Sequence, residues 1–262
     1  MSIMLNYVSK QGDAYLDEIR WLLDEKYHGV MNLEAERDIE RIKQGEPVAY
    51  VIGFVDFLGC KIDLSKRPLI PRPETEFWTE QAITDVKHRV FNIGEVRCLD
   101  IFAGSGCVGV ALLKNVPRAT VDFVDSEDHA IEQIRMNCGL NNIDPSRYKI
   151  IKSDLFNNLD GTYDYILANP PYIGEEDKHE VEKSVLKYEP SQALFGGHNG
   201  LSIIESFLDQ AKKYLNSDAK IYMEFGKSQK DEIEKILINK GYSRFSFHRD
   251  QFGRWRYLVL QM

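Results

Sequence analysis

The sequence predicts a doubly wound α/β sheet with an antiparallel hairpin at one edge, preceded by a small helical N-terminal domain. From residue 96 onward, short β-branched stretches alternate with helical stretches, a pattern typical of a parallel sheet with helices on both faces. A glycine-rich turn joins the first of these strands to the next helix. With 262 residues and 43% hydrophobic content, the chain can bury the core of one or two domains.

The N-terminal part predicts two helices over residues 14–45, because leucine and isoleucine recur there at helical spacing. Gly45 and Pro47 end this unit. Residues 48–64 are dense in β-branched and aromatic side chains, so we expect a hairpin. We therefore divide the chain into a helical domain, a linking β-hairpin and a main α/β domain, over residues 1–46, 47–70 and 71–262.

The main domain is predicted to start with a helix at Pro73, since proline and acidic side chains favour the first turn of a helix. The strands are expected near residues 96–101, 119–124, 148–152, 163–168 and 219–225. The intervening helices are expected near residues 106–115, 128–140, 199–216 and 227–240. Residues 242–250 and 254–262 predict the closing antiparallel hairpin.

Composition limits the kinds of protein this chain can be. A formal net charge of -8 and a pI near 5.4 disfavour tight, sequence-independent binding to nucleic acid. No apolar run reaches membrane-spanning length, and the N-terminus lacks the features of a targeting peptide, so we expect a cytoplasmic protein with no membrane partner. The cysteines lack paired spacing, which predicts reduced thiols and no bound metal: Cys60, Cys98, Cys107 and Cys138.

The glycine-rich turn lies in "CLDIFAGSGCVGVALL", residues 98–113. Gly104, Gly106 and Gly109 satisfy the dinucleotide pattern G-x-G-x-x-G, and Asp125 follows Gly104 by 21 residues. The glycines allow close approach of a ligand, and the acid is placed to bind ribose hydroxyls. An NAD-dependent oxidoreductase fits this pattern, and so does a protein that binds S-adenosylmethionine.

Two further acids favour S-adenosylmethionine. Asp100 lies beside the glycine turn, where it would repel a pyrophosphate but attract an ammonium group. Asp154 follows the third strand, at a place suited to a hydrogen bond with an adenine amino group. Either acid alone is more often a solvated loop residue, but three acids at three successive strand ends, with Asp125, indicate a binding site.

The fourth strand ends in "NPPY", residues 169–172, at the edge where open α/β sheets bind ligands. An ordinary turn is the simplest interpretation of one Asn-Pro pair. Two prolines, however, fix the backbone so that the side-chain carbonyl of Asn169 and the backbone carbonyl of Pro170 can point the same way, beside the ring of Tyr172. This arrangement predicts a receptor for a planar NH2 group.

Such a receptor suits methylation of an amide or nucleobase nitrogen, whose lone pair is delocalised and weakly nucleophilic. Two acceptors that hold both hydrogens draw the nitrogen toward tetrahedral geometry and release the lone pair for attack on a sulfonium methyl. No strong general base is required. A carboxylate would offer no hydrogens to these acceptors, so a glutamate in place of glutamine is disfavoured.

In these features the chain resembles the HemK/PrmC family of peptide chain release factor glutamine methyltransferases, over nearly its whole length. The N-P-P-Y motif alone is shared with DNA adenine methyltransferases, whereas the ordered combination of motifs is specific. The stretches that carry the resemblance are "GEPVAYVIGFVDFLG" (45–59), "LIPRPETE" (69–76), the glycine loop with "LANPPYI" (167–173), and "YEPSQALFGGHNGL" (188–201) followed by "MEFGKSQ" (223–229).

The resemblance implies a class I S-adenosylmethionine-dependent methyltransferase domain, with S-adenosylhomocysteine as the product of the cofactor. It implies a substrate-recognising helical domain and, as substrate, the side-chain amide nitrogen (N5) of glutamine in the Gly-Gly-Gln motif of release factors. Release factor is thus the expected partner, with no direct contact to DNA, and we expect a monomer. The alternatives are a ribosomal-protein glutamine methyltransferase, a DNA adenine methyltransferase, an NAD-dependent oxidoreductase and a non-catalytic binding module.

The family's site residues transfer to matching positions here. The implied catalytic motif is Asn169, Pro170, Pro171 and Tyr172. The implied cofactor site is Asp100, Phe102, Ala103, Gly104, Gly106, Asp125, Ser126, Asp154, Leu155 and Asn169. The implied substrate site comprises the catalytic motif with Arg72, Pro73, Glu74 and Thr75. The "EPSQALFGGHNGL" segment is expected to shape the wall around the acceptor loop.

Three departures from the family pattern are visible. Phe102 stands where the family usually has the first glycine of its loop, which predicts a narrower cofactor side. His198 and Asn199 replace the more usual acid before Gly200. The region before Gly45 is also shorter than expected of the family, so recognition of the partner is the property most exposed to change.

Overall fold

The computed structural model describes residues 13–262, with side chains from residue 15 onward. The α-helices are α1 (Asp13–Tyr27), α2 (Leu33–Lys43), α3 (Val48–Ile52), α4 (Pro73–Ile93), α5 (Cys107–Asn115), α6 (Asp128–Leu140), α7 (Lys183–Tyr188), α8 (Ser202–Ala211) and α9 (Lys230–Asn239). The strands are β1 (Phe54–Phe57), β2 (Cys60–Asp63), β3 (Val96–Ile101), β4 (Ala119–Asp125), β5 (Tyr148–Lys152), β6 (Tyr163–Ala168), β7 (Leu215–Glu224), β8 (Phe245–Arg249) and β9 (Trp255–Gln261).

Within residues 13–262, seven strands form the central sheet in the order β5-β4-β3-β6-β7-β9-β8. Strands β3 to β7 run parallel, whereas β9 pairs antiparallel with both β7 and β8. The predicted doubly wound sheet with an antiparallel edge hairpin is therefore confirmed. The chain leaves β3 toward β4 on one side and returns to β6 on the other, so the topological switch point lies between β3 and β6.

Helices cover both faces of this sheet. On one face, Trp78 of α4, Val108 of α5 and Ile134 of α6 enter one buried apolar cluster. On the other face, Phe207 of α8 and Ile233 of α9 enter a second cluster. Because helices cover both faces of the sheet, its central strands are buried on both sides, and their sequences are nearly continuous apolar runs.

The prediction of a hairpin over residues 48–64 was partly wrong. Residues 48–52 form the short helix α3, which begins after Pro47 and ends at Gly53 in a left-handed conformation (φ 99°). Val51 and Ile52 pack in the same apolar cluster as residues of α1 and α2. Tertiary packing against two helices thus overrides the strand preference of β-branched residues.

The hairpin itself is confined to β1 and β2, which pair antiparallel. It is attached to the main sheet layer through α6. The side-chain carbonyl of Asn137 accepts from the backbone N–H of Asp63 (2.8 Å), and that of Asn141 accepts from the N–H of Lys61 (3.0 Å). Helix α3 follows the proposed boundary at residue 46, yet it packs with the N-terminal helices. The division of the chain at residues 46 and 70 stays a prediction.

One predicted helix, over residues 199–216, is shorter than expected. Helix α8 is flanked by 3-10 turns at His198–Gly200 and Lys212–Tyr214, and β7 begins at Leu215.

The four cysteines are free and buried. Within residues 13–262, no helix is long and apolar enough to cross a membrane.

Candidate active site

The site lies at the switch point, where the carboxyl ends of β3 and β6 meet. The glycine turn follows β3, and the N-P-P-Y motif follows β6. A cavity of about 330 Å³ lies between them. Nearly all the predicted cofactor residues line it: Asp100, Phe102, Ala103, Gly104, Asp125, Ser126, Asp154, Leu155 and Asn169. The residues that motif spacing and the family resemblance predicted for the cofactor thus lie together in the fold.

The backbone of the glycine turn is left-handed at three positions: Phe102 (φ 61°), Gly104 (φ 54°) and Gly106 (φ 75°). Phe102 therefore adopts a conformation that favours glycine, at the position where the family resemblance led us to expect one. Its ring packs edge-on against Phe207, with 5.9 Å between ring centroids, and Phe102 is among the residues that line the cavity. Gly106 does not line the cavity; it is the N-cap residue of α5, and a Cβ there would lie 3.1 Å from Cγ1 of Ile134.

Asp100 is almost completely buried at the end of β3 and lines the cavity. Its Oδ2 accepts a hydrogen bond from the backbone N–H of Gly109 (2.8 Å). Burial raises the pKa of Asp100 to about 8, despite the opposing effect of that hydrogen bond. A cationic group in the cavity would therefore compensate a carboxylate that the protein alone compensates poorly.

Asp125 ends β4 on the other side of the glycine turn. Its two carboxylate oxygens accept from the backbone N–H groups of Gly104 (2.8 Å) and Glu127 (3.0 Å). Burial raises the pKa of Asp125, although both N–H groups act in the opposite direction. These bonds hold the carboxylate at the cavity rim, with lone pairs left for further donors.

The charged lining of this cavity is mainly acidic. Asp154 and Glu127 join the two carboxylates already described, while Arg72 and His129 are the basic side chains among the described residues of the lining. This balance favours a cationic ligand over a pyrophosphate. Within the described part of the chain, no group of His, Cys, Asp and Glu is arranged to hold a metal ion.

Asn169 stands between the first cavity and a second one of about 640 Å³, and it lines both. Pro171 lines the first cavity, whereas Pro170 and Tyr172 line the second. The side-chain N–H of Asn169 donates to Thr75 Oγ1 (3.3 Å). A group reaching in through the second cavity would therefore meet Asn169 at the junction with the first.

The glycine-rich segment after Pro190 packs directly on the N-P-P-Y motif. The backbone N–H of Ile173 donates to the carbonyl of Leu194 (3.0 Å), and the N–H of Gly196 donates to the carbonyl of Ile173 (2.9 Å). A Cβ at Gly200 would lie 1.9 Å from the carbonyl oxygen of Tyr172. This agrees with the expected wall around the acceptor loop.

The remaining predicted substrate residues occupy different positions. Arg72 lines both cavities and forms an ion pair with buried Glu189 (2.6 Å). Thr75 is buried, and its hydroxyl contacts Asn169 and Glu224. Pro73 lines a third cavity near the N-terminal helices. The Glu74 carboxylate lies 3.9 Å from the guanidinium of Arg256.

Sequence reasoning missed Glu224, Arg256 and Gln229. Glu224 ends β7 and is 1% exposed, and the Tyr172 hydroxyl donates to its Oε1 (3.1 Å). Gln229 donates to the backbone carbonyl of Tyr172 (2.8 Å). A charged residue that closes the apolar run of β7 was the available signal, because buried acids are seldom without a partner.

The chain matches a protein-family model and individual proteins of known name. A family model for the methyltransferase small domain matches residues 86–197. A release factor glutamine methyltransferase of Thermodesulfovibrio yellowstonii is 32% identical over 241 residues, which is 92% of this chain and 83% of that protein. The chain belongs to the release factor glutamine methyltransferase family. The release factor glutamine methyltransferase of Streptococcus pneumoniae is 35% identical to this chain over 222 residues, which is 84% of this chain and 77% of that protein.

Solved structures agree with this family at the level of the fold. A methyltransferase from Pyrococcus furiosus matches with a TM-score of 0.56 at 19% identity, over 85% of this chain and 96% of that one. A ribosomal protein L11 methylase from Lactobacillus delbrueckii subsp. bulgaricus matches with a TM-score of 0.54 at 20% identity, over 75% and 81%. The fold is that of class I S-adenosylmethionine-dependent methyltransferases.

Membership of the family decides among the broad alternatives. The chain is a methyltransferase, so the oxidoreductase and the non-catalytic binding module are set aside. The predicted resemblance is confirmed. The assignment of individual residues to cofactor or substrate stays a prediction that rests on the geometry above.

Proposed function

We propose that this protein transfers a methyl group from S-adenosylmethionine to the side-chain amide nitrogen (N5) of the glutamine in the Gly-Gly-Gln motif of a peptide chain release factor. The observation that carries the proposal is the position of Asn169, between an acid-lined cavity and a second cavity open to an incoming side chain. The names of the relatives supply the class of acceptor.

The first cavity fits the proposed methyl donor. Asp100, Asp125 and Asp154 all line it. In this proposal Asp125 binds the ribose hydroxyls, Asp154 the adenine amino group and Asp100 the ammonium of the methionine part. The cofactor supplies an electrophilic methyl group on a cationic sulfonium. The buried carboxylate of Asp100 and the acidic lining favour such a cation, and the volume is within the usual range for ligand sites.

The residues at the strand end act on the acceptor amide. The side-chain carbonyl of Asn169 and the backbone carbonyl of Pro170 accept its two hydrogens, which localises the nitrogen lone pair and turns it toward the first cavity. Tyr172 bounds the path of the side chain through the second cavity. These carbonyl oxygens accept hydrogen bonds from the amide hydrogens and remove no proton before methyl transfer. The methylated amide can lose its proton afterwards.

A third cavity of about 690 Å³ supports a protein acceptor. It lies between the N-terminal helices, strand β1, the start of α4 and helix α7, and it reaches Arg72. Glu18, Glu25 and Glu182 line it, so its charge suits a basic segment that flanks the acceptor glutamine. Through this contact the helical part of the chain would orient a release factor over the site.

The test is transfer of labelled methyl from S-adenosylmethionine to four acceptors: a purified release factor, the same factor with its loop glutamine changed to alanine, ribosomal proteins, and duplex DNA. Label in the unaltered release factor alone supports the proposal. Label that persists in the alanine variant, or that appears only in ribosomal proteins or DNA, contradicts it.

A further inference from the structure

A buried hydrogen-bonded chain runs from β7 to the N-P-P-Y motif through helix α4. It begins at Glu224, whose Oε2 accepts from the Thr75 hydroxyl (2.7 Å) and from the indole N–H of Trp78 (2.7 Å). It ends where the oxygen of Thr75 accepts from the Asn169 side-chain N–H (3.3 Å). Thr75 is 2% exposed and Trp78 is fully buried, so water does not replace these partners.

The order of donors along this chain is fixed by chemistry. Trp78 has a donor and no acceptor, so the oxygen it faces must accept. A threonine hydroxyl has one proton, and the proton of Thr75 points to that same Glu224 oxygen. The oxygen of Thr75 is then an acceptor only. The amide of Asn169 must therefore turn its NH2 group toward Thr75.

This order holds for either charge state of Glu224. Burial raises the pKa of Glu224, against its three hydrogen-bond donors and Arg256. If a proton were added, Oε1 would carry it, because Oε1 accepts one hydrogen bond, from Tyr172, whereas Oε2 already accepts two. Oε2 would remain an acceptor as a carbonyl oxygen, and Thr75 would still donate to it.

We infer that Thr75, held by Glu224, is a positioning residue that sets which end of the Asn169 amide faces the acceptor. The inference rests on the proposed function for its consequence. With NH2 turned to Thr75, Oδ1 is directed away from it as the acceptor for the substrate NH2 group. The reverse orientation would place two donors against two hydrogens and would abolish the receptor.

The orientation can be tested without any acceptor protein. The protein is labelled with 15N at asparagine, and the Asn169 signal is assigned from its loss in Asn169→Ala. We expect nuclear Overhauser contacts from the Asn169 side-chain NH2 protons to the methyl and β protons of Thr75. Absence of these contacts in the folded wild type would overturn the inference, even if release factor is methylated.

The consequence is tested by turnover with release factor, counted per cofactor-binding site. Thr75→Val removes the hydroxyl and should lower kcat by about tenfold to hundredfold, with KM for S-adenosylmethionine changed less than about twofold. Thr75→Ser keeps the hydroxyl and should restore kcat to within about threefold of wild type.

Thr79→Val is the matched control. Thr79 is fully buried one turn along α4, and its hydroxyl donates to the backbone carbonyl of Thr75 rather than to Glu224. Its kcat should stay within about twofold of wild type. Equal losses in both valine variants, or no rescue by serine, would reduce Thr75 to a packing residue. Wild type that shows the Asn169–Thr75 contact but no methylation of release factor would contradict the proposed function alone.

Discussion

The Oδ2 atom of Asp100 lies 2.8 Å from the backbone nitrogen of Gly109, so helix α5 approaches strand β3 closely at this glycine. A Cβ at Gly109 would lie 2.9 Å from that oxygen and 2.3 Å from Cε1 of Phe123. The third glycine of the G-x-G-x-x-G pattern is thus required by close packing of helix on strand.

Gly109→Ala should therefore destabilise the protein. The added methyl group must displace the buried ring of Phe123, so we expect a loss of about 1–3 kcal/mol in the free energy of unfolding. Gly139→Ala in α6 is the control, because nothing lies within 4 Å of a Cβ there. That variant should be neutral or slightly stabilised in denaturant titrations. Equal stability of both variants would contradict the packing argument.

Burial of Asp100 should make stability depend on pH. Its pKa is raised from 3.8 to about 8 in the folded protein, so between these values the folded state binds more protons than the unfolded state. Its contribution to the free energy of unfolding is therefore full below about pH 4 and declines as pH rises toward 8. The slope is at most about 1.4 kcal/mol per pH unit for one proton.

Asp100→Asn isolates this contribution, because Asp125 and Glu224 also have raised pKa values and remain in both proteins. Urea unfolding measured from pH 5 to pH 8 should show a shallower decline in the variant than in the wild type. Parallel curves would mean that Asp100 is ionised throughout this range.

Much of the fold followed from local sequence. The alternation of strand and helix patterns gave β3 and β6 with the correct ends, and in a parallel sheet those ends lie together at one edge. The pattern therefore predicts that the glycine turn and the N-P-P-Y motif share one site. Local patterns work here because each motif directly terminates a strand.

The parts that sequence did not predict depend on distant partners. Residues 48–52 look like a strand, yet they are helical because α1 and α2 supply a surface for them. Thr75 and Glu224 are 149 residues apart, and no spacing rule links them. Such contacts depend on how α4 packs against β7. They leave no periodic pattern in the sequence from which they could be predicted.

The wall behind the N-P-P-Y motif should be sensitive to one methyl group. Gly200 has a left-handed conformation (φ 66°), and a Cβ there would clash with the carbonyl of Tyr172. Gly200→Ala should shift the motif and reduce methyl transfer by at least about tenfold. Gly253→Ala carries a similar backbone strain (φ 76°) with nothing within 4 Å, so it should keep wild-type turnover. Equal activity of the two variants would exclude a positional role for Gly200.

Glu224 should matter as an acceptor more than as a charge. Glu224→Gln can still present a carbonyl oxygen to Thr75 and Trp78, so we expect kcat within about tenfold of wild type. Glu224→Leu removes that acceptor, so its kcat should be at least about tenfold lower than that of Glu224→Gln, while cofactor binding measured by calorimetry is unchanged. If the glutamine variant were as impaired as the leucine variant, the carboxylate charge itself would be required.

The amide receptor at the end of β6 is proposed to hold a release factor glutamine for methylation. This role is tested by tandem mass spectrometry of release factor after incubation with S-adenosylmethionine and either wild-type protein or Asn169→Ala. We predict one added methyl group on the glutamine of the Gly-Gly-Gln motif with wild type, and none with the variant although it still binds the cofactor. A methyl group on any other residue, or equal modification by both proteins, would contradict the account.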